Sequence, residues 1–263
     1  MKHQSKLSIF VILIFLSTFT FAQNGTDLTV SADRPGVGTP PSVMPVNHFQ
    51  IETGFLYEKS TVDNSTTKLF SYDQSLFRYG LLSFAELRLS GDFTKTKIGF
   101  AGTDTSFTGF GPINFGTKIS ILKGKGIIPA TSLLVNVTLP KTGKKEYQTT
   151  NAAPSIYLLF QNSLTDKLSL GYNLGLEWDG VSDKPTTFYA VNLGYGITEK
   201  LSCYIENYGY LISGGNDFFV DGGFAYQLTD KLQLDLYGGI DTKGAKTDSQ
   251  ISAGISWLIP KSL

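Results

Sequence analysis

"LTDKLSL" (164–170), "ITEKLSC" (197–203) and "LTDKLQL" (228–234) are close to one phrase written three times, at intervals of 33 and 31 residues. After the first copy, Leu168, Leu170, Tyr172, Leu174, Leu176 and Trp178 alternate with Ser169, Gly171, Asn173, Gly175, Glu177 and Asp179. Alternation with period two makes a strand with one apolar and one polar face. The third copy leads into the same pattern, with Leu232, Leu234, Leu236, Gly238 and Ile240 on one face and Gln233, Asp235, Tyr237, Gly239 and Asp241 on the other. Another alternating stretch arrives before each copy. Each "TDK" or "TEK" is therefore a tight turn between antiparallel strands, and the interval is two strands plus a longer loop at the far end. A propeller blade needs four strands and about 40 residues per repeat, which this interval does not supply.

Carried along the chain, the same reading predicts twelve strands, near 48–59, 67–80, 84–95, 107–122, 127–140, 153–164, 168–179, 186–197, 201–212, 217–228, 232–242 and 249–259. The connections alternate in kind. "GLLS", "KGKG" and the three repeated turns are short, whereas the other set, "KSTVDNSTT", "KTKIGFAGTDTS", "KTGKKEYQTTNAA", "DGVSDKPTT", "SGGN" and "TKGAKTDS", is longer and polar. Tight turns at one rim, longer loops at the other and an even number of strands of about ten residues describe an outer-membrane barrel. The expected fold is all-β, a 12-stranded antiparallel transmembrane β-barrel. A soluble sandwich would carry a charged outer face. Here the second face is mostly Gly, Ser, Asn, Asp and Glu, which suits a lumen wall. Barrels of about eight strands are filled by side chains and those of about sixteen hold an open channel. Twelve strands therefore predict a narrow or partly plugged lumen.

The first residues set the compartment. Lys2 and Lys6 precede the apolar run "LSIFVILIFLSTFTF", and Thr20-Phe21-Ala22 before Gln23 reads as a cleavage site. The predicted organisation is a signal peptide (1–22), a periplasmic N-terminal segment (23–47) and the barrel (48–260), with the mature protein in the outer membrane of a Gram-negative cell. Lys+Arg and Asp+Glu both number 22 over the whole chain, a balance that gives no support to nucleic-acid binding. Cys203 is the one cysteine, which excludes an internal disulfide.

Charged side chains cannot face hydrocarbon cheaply, since Lys or Arg at mid-depth costs about 2–4 kcal/mol. Strand parity therefore sends the charges inward. In the first strand Gln50, Glu52 and Glu58 oppose Phe49, Ile51, Phe55 and Tyr57. In the third, Glu86, Arg88, Ser90 and Asp92 oppose Ala85, Leu87, Leu89, Gly91 and Phe93. The candidate lumenal residues are Glu52, Arg78, Glu86, Arg88, Asp92, Lys118, Glu177, Glu206, Asp221 and Asp235. A symmetric "GLLSF" turn places Arg78 opposite Glu86 as a cross-strand pair. Placing Arg78 inward also sends Asp73 outward unless a bulge intervenes. These charges either pair to rigidify the barrel or line a pore constriction. Barrel hydrolases need a histidine to activate serine or water. Past the leader there is only His48, at the short-turn rim. No enzyme activity, cofactor or metal site is expected.

"DRPGVGTPPSVMPVNHFQIETGF" (33–55), "LFRYGLLSFAELRLSGDF" (76–93), "GFGPINFGTKI" (109–119) and "VDGGFAYQLTDKLQLDLYGGID" (220–241) resemble the outer-membrane family named for the meta-pathway of phenol degradation. The resemblance spans Asp33 to Trp257. Members are usually called transporters, so it implies a secreted barrel passing small, hydrophobic or aromatic molecules. The implied partners are outer-membrane lipid, the barrel-assembly machinery and a small-molecule solute. The alternative is a non-transporting barrel with a structural or surface-interaction role.

Overall fold

The computed structural model describes residues 28–212, 215–242 and 248–259. The leader lies outside them. Thirteen strands follow one another: β1 (Phe49–Val62), β2 (Ser65–Leu82), β3 (Ala85–Phe100), β4 (Thr103–Phe110), β5 (Asn114–Lys125), β6 (Ile128–Thr138), β7 (Ala153–Ser163), β8 (Leu168–Glu177), β9 (Thr186–Gly196), β10 (Leu201–Ile212), β11 (Gly215–Thr229), β12 (Leu232–Asp241) and β13 (Ser249–Ile259). Each pairs antiparallel with its neighbours, and β1 pairs with β13 from Phe49↔Ile259 to Lys59↔Ser249. That ladder closes the ring. Both β4 and β5 pair with β3, so thirteen segments fill twelve positions of a closed barrel.

Sequence periodicity predicts one strand over 107–122. The chain breaks it at Gly111-Pro112-Ile113, between β4 and β5. Proline has no N–H to give to a ladder, so a strand yields there. Two expected loops are shorter than the sequence suggests. The β1–β2 and β3–β4 hairpins run to the two-residue turns Asp63-Asn64 and Ala101-Gly102. These extensions are rich in Ser and Thr, with no apolar face to reveal them as strand.

The repeated phrase owes its threonine to turn chemistry. Thr165 Oγ1 accepts from the N–H groups of Lys167 and Leu168 at 3.2 and 3.0 Å. Thr198 Oγ1 accepts from Lys200 and Leu201 at the same distances, and Thr229 Oγ1 accepts from Lys231 at 3.2 Å. A hydroxyl accepting from backbone two or three residues on holds the turn closed. That makes Thr-Asp/Glu-Lys a local solution, reused wherever two strands meet tightly.

The two faces separate as the alternation predicts. Leu174 is 55% exposed beside Asn173 at 4%, and Leu236 is 50% exposed beside Asp235 at 6%. The outward rows face hydrocarbon, the inward rows a lumen. In β2 the register shifts between Ser71 and Asp73. The bulge turns Ser71 inward but leaves Asp73 outside, where Ser75 Oγ donates to it at 2.7 Å and the Thr53 hydroxyl also donates.

Candidate lumenal site

Glu52 on β1, Arg78 on β2, Glu86 and Arg88 on β3 and Lys118 on β5 stand on the inward rows of four adjacent ring positions. Glu52, Arg78, Glu86 and Lys118 are fully buried. Arg78 Nε donates to Glu86 Oε1 at 3.0 Å and one terminal nitrogen to Glu86 Oε2 at 2.9 Å. Its other terminal nitrogen donates to Glu52 Oε1 at 2.9 Å. Arg88 donates to Glu86 Oε1 at 2.7 Å. The expected Arg78–Glu86 pair thus forms, but not by direct opposition. A register shift between Gly80 and Leu82 places Arg78 opposite Arg88 and Glu86 opposite Gly80. The pair is made on the diagonal, and the two facing guanidiniums need more carboxylate than the wall supplies.

The missing carboxylate comes from the N-terminal segment. Asp33 lies 3.1 Å from Arg78, 2.6 Å from Arg88 and 2.8 Å from Lys118. Three cations then meet three carboxylates, Asp33, Glu52 and Glu86. The rest of the segment docks residue by residue. Glu52 accepts from the Asp33 and Arg34 N–H groups at 3.0 and 3.2 Å. Arg34 reaches across to Asp235 at 3.0 Å and Ser252 Oγ at 2.8 Å. Glu206 accepts from the N–H groups of Val37 and Gly38 at 2.9 and 3.0 Å. Asn173 exchanges two hydrogen bonds with the Thr39 backbone at 2.7 and 3.0 Å. Lys118 Nζ donates to the Pro40 and Ser42 carbonyls at 3.0 and 3.1 Å.

Two glycine sites make this approach possible. Gly54 and Gly254 face each other across the β1–β13 seam. A Cβ on either would lie within 2.6 Å of the Arg34 guanidinium. At Gly38 a Cβ would lie 2.3 Å from Glu206 Oε2. Any side chain at these points would push the segment off the wall.

The segment set aside from sequence as periplasmic is therefore, over its described residues, a plug inside the barrel. It starts beside the short-turn rim, where Val30 N donates to Asp230 O at 2.7 Å. It returns to that rim, where Asn47 N donates to Gly80 O at 2.8 Å before β1 begins. Of the ten candidate lumenal residues, Glu52, Arg78, Glu86, Arg88, Lys118, Glu206 and Asp235 bind this plug. The others do not. Asp92 accepts from the hydroxyls of Ser71 and Thr94, Glu177 accepts from Tyr157 Oη at 2.8 Å, and Asp221 lies buried on β11. His48 sits at the mouth of β1, with Nδ1 2.9 Å from the Val46 carbonyl. Among the described residues, no group of three or more His, Cys, Asp and Glu side chains is placed to hold a metal.

Residues 32–259 match the model of the family described as "Putative MetA-pathway of phenol degradation". The chain belongs to this family. The match begins one residue before Asp33, so the plug from Ala32 onward lies inside the family's own span. No curated protein matches the chain. Among solved structures it is similar to the COG4313 outer membrane channel from Pseudomonas putida F1, with 13% identity, 82% of this chain and 97% of that one covered, and a TM-score of 0.65. It is similar to the beta domain of the Bordetella autotransporter BrkA, with 11% identity, 81% and 100% covered, and a TM-score of 0.56. It is also similar to the KdgM porin in complex with disordered oligogalacturonate, with 9% identity, 80% and 99% covered, and a TM-score of 0.53. At such identities the likeness is one of fold, that of outer-membrane barrels.

In this member of the phenol-degradation family the plug divides the lumen. On the short-turn side a cavity of about 300 Å³ lies among Pro40, Pro41, Tyr172, Asn192 and Tyr204. On the long-loop side a polar cavity of about 520 Å³ is lined by Arg88, Asp92, Asn136, Ser155 and Glu177. Next to it, Tyr157, Phe188, Tyr208, Tyr210 and Phe219 form an aromatic wall against Val37 at the plug's tip. Strand periodicity predicts an inner face that is small and polar, and here it is not. The parity that turns Glu206 and Asp221 inward turns Tyr208, Tyr210 and Phe219 inward too. Where the plug does not reach, rings line the lumen.

Proposed function

We propose that this protein is a plugged outer-membrane channel for small solutes, aromatic ones among them. The observation that carries the reading is the N-terminal segment, held across the lumen by hydrogen bonds and ion pairs, with chambers on both sides. A barrel built only as an anchor has no need of separate chambers or an aromatic inner wall. The contacts that hold the plug are polar, and polar contacts exchange with water more readily than an apolar core would. That suits a closure that shifts to let solute pass. Similarity to a solved outer membrane channel supports the same reading, as does the family's description. No catalysis is assigned: most of the lumenal charges hold the plug, and the histidine at β1 is engaged at the rim. The test is uptake by a Gram-negative host depleted of its general porins. Cells expressing the protein should take up labelled phenol several-fold faster than cells without it, with a smaller gain for glucose. Equal uptake of every solute in a panel, together with no conductance in planar bilayers, would favour a structural or surface-interaction barrel.

A further inference from the structure

The long-loop side of the lumen holds a second, chemically different chamber of about 360 Å³, lined by Tyr208, Tyr210, Phe219, Tyr237, Glu58 and Asp248. That volume is within the range of about 300–1,000 Å³ typical of small-molecule sites. Three rings form a packed wall: Tyr208 stacks on Phe219 at 4.9 Å and 11°, and Tyr210 meets Phe219 edge-on at 6.4 Å and 80°. Tyr208 is oriented by Gln250, whose Nε2 lies 3.0 Å from its hydroxyl. Glu58 and Asp248 both line this chamber. Asp248 Oδ1 is buried without a hydrogen-bond partner. Among the described residues, Lys59 is the only cation lining the chamber.

We infer that this chamber binds small organic ammonium ions, with the apolar body on the tyrosine and phenylalanine rings and the charged nitrogen toward Glu58 and Asp248. Ring faces carry negative potential and attract a cation placed over them. A buried carboxylate oxygen without a partner, as Asp248 Oδ1 is, is costly and gains from a positive group. A neutral aromatic solute would satisfy the rings and leave Asp248 Oδ1 without a partner. An anion would be repelled. Calcium or magnesium demands a shell of oxygen ligands that rings cannot give. An organic ammonium ion meets both halves of the wall. The arginines and lysine of the plug network do not oppose it, because their charge is already neutralised by Asp33, Glu52 and Glu86.

The inference rests on solutes reaching the lumen, as the channel reading requires, but its test does not need transport. Isothermal titration of the intact purified protein would use three probes sharing one frame: phenethylammonium, 2-phenylethanol and phenylacetate. The ammonium ion should bind about 10-fold or more tightly than the alcohol, as a desolvated cation–π and ion-pair contact provides, and phenylacetate should bind weakest. Glu58→Gln/Asp248→Asn should remove that advantage and leave the alcohol within about two-fold, a change worth little on the affinity scale. Tyr208→Leu, which keeps both carboxylates, should weaken ammonium and alcohol alike. Should the double charge variant fail to fold, the order of the three probes on the unaltered protein and the Tyr208→Leu result decide. No ammonium binding, equal affinities, phenylacetate tightest or an unchanged double variant would overturn the inference. A barrel that binds but passes nothing would sink the channel reading alone. One that conducts without this charge order would sink only the ammonium site.

Discussion

Deleting residues 28–41 should raise single-channel conductance in planar bilayers several-fold and make the current cation-preferring. Those residues supply Asp33, Arg34 and the backbone groups that Glu206, Asn173 and Lys118 hold. Without them the two sides of the lumen join, and a 12-stranded ring is wider than the roughly eight-stranded barrels that side chains alone can fill. The sign of the selectivity follows from what remains on the wall. Arg78, Arg88 and Lys118 would face Glu52, Glu58, Glu86, Asp92, Glu177, Glu206, Asp221 and Asp235, so carboxylates outnumber cations. Rings of carboxylates favour cations in a pore. The barrel itself should persist, because the β1–β13 ladder that closes it lies outside the deletion. Conductance unchanged from the intact protein would mean that the segment does not close the lumen.

Glu86→Gln should destabilise the barrel by about 3–5 kcal/mol, the usual cost of stranding a buried charge. Glu86 accepts hydrogen bonds from Arg78, from Arg88 and from the Met44 N–H. An uncharged amide there leaves three buried cations against Asp33 and Glu52. Adding Arg78→Met restores two against two, although it gives up the Arg78 bonds to the Ser31 and Ser42 carbonyls. The double variant Arg78→Met/Glu86→Gln should therefore lose less stability than Glu86→Gln alone. Urea unfolding of the four species in a double-mutant cycle measures this coupling directly. Strictly additive losses would mean that the two residues do not share one charge balance.

The strands were legible because each lies between hydrocarbon and lumen, and that contrast writes period two into the sequence. The strand read at 168–179 is found at Leu168–Glu177, and that read at 249–259 is found at Ser249–Ile259. Legibility fails where the contrast disappears. Toward the long-loop ends of β1, β2 and β3 neither face is consistently apolar, so strand extensions read as polar loop. At Gly111-Pro112-Ile113 the apolar pattern runs on while the backbone bonding does not. The inward placement of the charges was also legible, since burying charge in lipid is costly enough to fix parity. Their partners were not. Arg34 and Asp235 are 201 residues apart, a pairing that periodicity cannot encode. A signal was nonetheless present. The first strands carry inward cations close together, a segment reading Asp33-Arg34 precedes them, and Gly54 and Gly254 leave room opposite. The register of Arg78 is hidden for a smaller reason: a bulge at the turn shifts one strand against the other without changing the alternation that reveals either.

The plug itself can be tested by linking it to the wall. Thr39→Cys and Asn173→Cys, made in a Cys203→Ser background, join the points where the Thr39 N–H lies 2.7 Å from Asn173 Oδ1. A disulfide needs Cα atoms about 4.4–6.8 Å apart, a separation that a side chain bonded to the opposing backbone allows. After mild oxidation of intact outer membranes, mass spectrometry should find the peptides containing positions 39 and 173 joined in most molecules. If they remain separate, and the thiol at position 39 is instead rapidly alkylated by a bulky maleimide, the segment does not reside in the lumen and the plugged-channel account fails.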